Sequence, residues 1–161
     1  MPQHHRATLV VIEYGGSWPR WLHPSQSGDV AVVAQHYPGA PSSLVAQVAN
    51  RVTRVENMGW QLGHMIFVSN GKTDRDHQAA RSILIRGLVA RLREVPGGEL
   101  MLTCSEPAGS RAQRELAATV MALESGSSSK GVSLSLLAWD GSVLYATSPE
   151  AKSTPGLARA S

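Results

Sequence analysis

Cysteine is nearly absent from this chain. Cys104 is the single one in 161 residues, so no internal disulfide can form and no cysteine cluster can hold zinc. A reducing compartment suits such a chain. Long apolar runs are missing too. The first, Ala7 to Ile12, stops at Glu13 and is too short for the hydrophobic stretch of a signal peptide. No run approaches the roughly 18 residues of a membrane span, so the expected location is cytoplasmic, with no membrane partner. Aromatic residues make up 5% of the chain, and 12 arginines with only 3 lysines face 12 acidic residues, for a net charge of +3. Nucleic-acid binding calls for a concentrated basic face with stacking aromatics. A solvated arginine-rich surface fits this mild excess better, and nucleic acid is not an expected partner. The six histidines never stand in H-x-x-x-H or H-E-x-x-H spacing, so no metal site and no cofactor is expected.

What is present is an alternation of short apolar runs and longer amphipathic ones. ATLVVIEY (Ala7 to Tyr14), DVAVVAQH (Asp29 to His36), GHMIFVS (Gly63 to Ser69) and GGELMLTCS (Gly97 to Ser105) read as strands. Their nearly continuous apolar character suits strands covered on both faces. Helices are predicted over SSLVAQVANRVTRVENM, over TDRDHQAARSILIRGLVARLREV and over GSRAQRELAATVMALESG. Leu44, Val48, Val52 and Val55 make one apolar stripe, Ala80, Leu84, Leu88, Leu92 and Val95 a second. Ser110 and Gln113 have capping-box spacing. VSLSLLAWDGSVLYAT turns at Asp140-Gly141, a strong hairpin signal. The order is β-β-α-β-α-β-α-β-β, which predicts one three-layer α/β/α domain over residues 1–147. Its sheet has five to six strands, mixed but mostly parallel, with helices on both faces and the closing hairpin as an antiparallel edge. With no helix between them, the first two strands are expected to be antiparallel. Residues 148–161, SPEAKSTPGLARAS, read as a disordered tail.

In open α/β sheets ligands sit at the carboxyl ends of the strands, beside helix N-termini that favour anions. The richest such segment is SNGKTDRDH, Ser69 to His77. Its Gly71-Lys72-Thr73 has the end of a P-loop, but the full spacing G-x-x-x-x-G-K-[ST] needs glycine at position 66, which is Ile66. The expectation is an exposed loop able to hold a weak anion, with Thr73 or Asp74 as helix cap. The candidate ligand-binding residues are Asn70, Lys72, Thr73, Asp74, His77 and Arg81, joined by Ser110 at the start of the third helix. Arg81 falls among the leucines of the second helix. Either its stem packs while its head reaches water, or an ion pair offsets its desolvation. Cys104 closes a buried strand and reads as an inert small hydrophobe. The long loop GGSWPRWLHPSQSG carries Trp18, Arg20 and Trp21. These rings either tuck over the sheet edge or anchor an interface.

Two segments add a resemblance. GHMIFVSNGKTDRDHQAARSILI and GGELMLTCSEP resemble the third strand, loop and second helix, and then the Gly-Gly strand and proline, of the STAS domains of bacterial anti-sigma factor antagonists. The resemblance spans about Asp29 to Leu123 and implies an α/β regulatory fold. That family carries its phosphorylatable hydroxyl at the start of the second helix, where this chain has Asp76, His77 and Gln78. Two functions follow. The first is a non-enzymatic regulatory or protein-interaction domain with a protein partner or a second copy, since no nucleophile-base pair or complete phosphate motif appears. The alternative is a small-ligand binder or enzyme that holds an anion or phosphorylated metabolite at the loops after the third and fourth strands.

Overall fold

The computed structural model describes residues 6–13, 17–22, 30–35, 42–126 and 130–147. The elements are β1 (Arg6–Ile12), β2 (Val30–Gln35), α1 (Ser42–Asn57), β3 (Gln61–Ser69), α2 (Arg75–Leu92), β4 (Glu99–Cys104), α3 (Arg111–Ser125), β5 (Ser133–Leu137) and β6 (Val143–Thr147). They build one sheet in the order β2-β1-β3-β4-β5-β6. Strands β1 to β5 are mutually parallel, and β6 pairs antiparallel with β5. The α/β class, the element order and the mostly parallel sheet with an antiparallel edge are those the sequence indicates. The residues read as a tail, much of the loop between the first two strands (residues 15–16 and 23–28) and the strand ends Asp29 and His36 lie outside the described residues.

The first two strands depart from expectation: β1 and β2 are parallel, with Leu9 opposite Val32. A parallel connection needs a dozen or more residues to cross back over the sheet, and residues 13–29 are long enough to supply them. Handedness then fixes where each connection runs. The three helical crossovers all advance in one direction along the sheet, so right-handed connections put α1, α2 and α3 on the same face. The β1 to β2 connection moves the other way and belongs on the opposite face. Among the described residues, therefore, all three helices lie on one face, and Trp21 and Leu22 of the β1 to β2 connection lie on the other.

Packing follows this division. On the helical face Leu9, Val11, Met65, Phe67, Leu100, Leu102, Leu134 and Leu136 meet Leu44, Val48, Leu84, Leu88, Leu116 and Val120 in one buried cluster. At about 1.5–3 kcal/mol for each large side chain removed from water, this cluster carries most of the burial energy. On the second face Val10, Ile12, Ile66 and Val68 lie under Leu22, with Trp21, Met101 and Trp139 packed around them. The Trp21 indole N–H donates to the Trp139 carbonyl at 2.9 Å. Its ring covers Gly141, where a Cβ would stand 3.0 Å from Trp21 Cγ. The connection after β1 is thus tied to the turn between β5 and β6.

Candidate functional site

Parallel strands β2-β1-β3-β4-β5 have their topological switch point between β1 and β3, since the chain leaves β1 toward one edge and β3 toward the other. The crevice at their carboxyl ends is where ligands bind in such sheets. Glu13 follows β1 there, Asn70 follows β3, and Arg81 reaches in from the second turn of α2. Glu13 is 2% exposed and Arg81 6%. The Arg81 guanidinium donates from Nε to Glu13 Oε2 at 2.6 Å and from Nη2 to Oε1 at 2.9 Å. Asn70 donates its backbone N–H to the same Oε1 at 2.9 Å. Its side-chain oxygen accepts from Arg81 Nη2 at 3.3 Å and from the Lys72 N–H at 2.9 Å. A bidentate pair with further donors on the carboxylate is the geometry in which a buried ion pair repays its desolvation.

The loop above this pair is fixed by its own polar atoms. Gly71 donates its N–H to Ser69 Oγ at 3.1 Å and takes φ = 85°, where only glycine avoids Cβ strain. A Cβ on Gly71 would also stand 2.6 Å from Glu106 Cγ, so the loop lies against the segment that follows β4. Asp74 caps α2 by accepting the His77 N–H at 3.1 Å. His77 Nδ1, protonated in the tautomer that fits, donates to the same oxygen at 2.9 Å. The His77 side-chain and backbone bonds lower the Asp74 carboxyl to about 2. The Gln78 amide donates to the Thr73 carbonyl and, at 2.9 Å, to Glu115 Oε2 of α3, which also accepts from Arg111 Nε at 3.3 Å. Ser110 caps α3 by accepting the Gln113 N–H at 3.2 Å. Burial pushes the Cys104 thiol up, so it stays protonated and poorly nucleophilic at neutral pH.

Asn70, Lys72, Thr73, Asp74, His77 and Arg81 are thus gathered at one strand end, with Ser110 at the neighbouring helix start. Most of their polar atoms point at one another. Arg81 is taken by Glu13, and the positive end of α2 is met by Asp74. Lys72 is exposed. Among the described residues no group of three or more His, Cys, Asp or Glu is placed to hold a metal ion, and no helix is long and apolar enough to cross a membrane. Sequence reasoning missed Glu13. The signal available was an acid directly after an apolar strand in a chain that also buries an arginine. The loop residues divide: Trp21 is a packing residue, Arg20 is exposed, and Trp18 is 45% exposed with its indole N–H on the Leu22 carbonyl at 2.9 Å.

Apolar groups, in contrast, stand open elsewhere. Along α3 and β6, Met121 is 57% exposed, Val143 61% and Leu144 43%, beside a groove lined by Arg114, Ala117, Met121, Leu136, Leu144 and Tyr145. A second shallow groove runs between α1 and α2 past Val45, Val52, Ile83 and Gly87. Compared with known proteins, the chain matches no family model, no curated protein and no solved structure.

Proposed function

We propose that this chain is a non-catalytic protein-interaction domain of α/β type, which meets its partner through the side formed by α3 and β6. The observation that carries this reading is a contrast. The polar groups at the strand ends are closed onto each other, while Met121 on α3 and Val143 and Leu144 on β6 stay in water. Adjacent exposed apolar groups mark interaction surfaces more often than scattered ones. A regulatory role of the STAS kind would have to run without a hydroxyl at Asp76, His77 and Gln78, through contact alone.

A second reading keeps the loop after β3 as a weak site for a small anion, because Lys72 is exposed beside the first turn of α2. One paired experiment separates the two. A photo-crosslinking side chain at position 121 should give protein adducts, and the same group at position 72 should not. A thermal-shift series with inorganic phosphate and Mg-ATP should stay flat. Saturable stabilisation by phosphate, lost in Lys72→Ala, together with no adduct at position 121, would replace the interaction reading with the anion site.

A further inference from the structure

Apart from the α3–β6 side, we infer that the outer face of α2 is an interface between two copies of this chain, with α2 packed antiparallel on α2 about a two-fold axis. Ala79, Ile83, Gly87 and Ala90 are all exposed, and their spacing of four, four and three puts them on one face of the helix. This stripe holds no charged residue, although the water-facing side of a surface helix is normally polar. Ile83 is 59% exposed. Gly87 stands mid-helix, where glycine is destabilising relative to alanine. Among the described residues nothing requires it, since a Cβ at position 87 would meet no atom within 4 Å. A knob and a hole thus stand one helical turn apart, and the hole opens into the groove whose far wall holds Ala49 and Thr53.

The order of these residues selects a second copy over a foreign helix. In a two-fold pair, what one copy's residue meets on the other is met in return. Antiparallel helices centred on the level of Ile85 set each Ile83 over the second copy's Gly87, because both lie two residues from that centre. Ala79 and Ala90, six and five residues from it, then face each other. Large meets small and small meets small, which lets the two axes approach to about 8 Å. A parallel pair would instead set Ile83 against Ile83 and leave a gap between the two glycines. A foreign helix needs the hole alone, whereas a second copy uses knob and hole together. At each end Arg75 and Asp76 come level with the second copy's Glu94 and Arg93, so each charge has an opposite one beside it. Arg86, exposed on one flank near the axis, approaches its own copy and weakens the contact. The 18 residues of α2 make an interface about 27 Å long. One helix stripe of that length covers well under the roughly 800 Å² per partner of a standard interface, so the dimer is weak and reversible.

Sedimentation equilibrium on the full chain tests this. Wild type should dimerise reversibly. Gly87→Ile should raise the dimer Kd by about tenfold or more, because knob then meets knob. Its thermal melt should hold or rise, since the new side chain enters open space and isoleucine is the better helix former. A merely adhesive apolar face predicts the reverse, tighter association, because the substitution adds apolar surface. The double exchange Ile83→Gly with Gly87→Ile sets knob against hole again and should return the Kd close to that of the wild type. Arg86→Ala should lower the Kd severalfold by removing like charges beside the axis. A wild type that stays monomeric at every concentration, a Gly87→Ile dimer as tight as the wild type, or a double exchange no better than Gly87→Ile overturns the second copy as occupant. An Arg86→Ala dimer weaker than the wild type overturns the antiparallel arrangement. Adducts at position 121 report on the β6 side of α3 and stand or fall separately.

Discussion

A guanidinium buried beneath a helix costs several kcal/mol unless a carboxylate meets it in good geometry. Arg81 and Glu13 meet at 2.6 Å with both groups out of water, so each is the other's reason for being tolerated. Glu13→Ala is expected to lower stability by about 3–5 kcal/mol, since it leaves an unpaired buried charge. The double replacement Glu13→Leu with Arg81→Met should recover most of that loss. Urea unfolding of the three variants measures both, and a loss under about 1 kcal/mol in Glu13→Ala would mean water reaches the pair. Asp74 makes a pH-dependent contribution. Its folded value of about 2 lies below the ordinary 3.8, so the carboxylate favours the folded state above 3.8 and loses that advantage as the pH falls toward about 2. The melting temperatures of wild type and Asp74→Ala should therefore converge across that window. Asp74→Asn should keep the cap and lose the pH dependence.

Among the elements, the connection after β1 is the one that runs on the face opposite the three helices. Its described residues Trp21 and Leu22 pack on the second face, and Trp21 rests on Gly141, which adopts φ = 93°. Gly141→Ala combines a disfavoured left-handed backbone with a methyl pressed on the Trp21 ring. A loss of about 1–3 kcal/mol is expected, along with a shift of tryptophan emission toward that of exposed indole. Unchanged emission would show that the ring does not rest on this turn. The helices and strands themselves were legible in the sequence because their apolar periods are local: Leu44, Val48, Val52 and Val55 announce a buried helix face without reference to anything else. The direction of β2 was not legible, since GGSWPRWLHPSQSG has no period to mark it as a crossover. Nor was the partner of Arg81, because Glu13 is 68 positions away and no local spacing links them. Asp74 and Ser110 were readable as caps because a cap bonds within its own first turn.

For the whole molecule, topology places much of the fold's cohesion in pairs distant along the chain. Strand β1 lies between β2 and β3, and the bond from Trp21 to Trp139 spans 118 positions. Sheets built from such distant pairs refold in about milliseconds to seconds, slower than helical bundles of similar size. Stopped-flow refolding should therefore be slow, and Phe67→Leu, at the buried centre of β3, should slow it further if β1–β3 pairing forms the nucleus. The interior position of β1 has a consequence for biosynthesis. Translation proceeds at about 5–20 residues per second, so β1 waits several seconds outside the ribosome before β3 follows it. Through that interval Leu9, Val10 and Val11 have no β3 beside them, and their apolar side chains stay exposed. Free fragments ending before Gln61 should be digested readily by protease, and the full chain should resist.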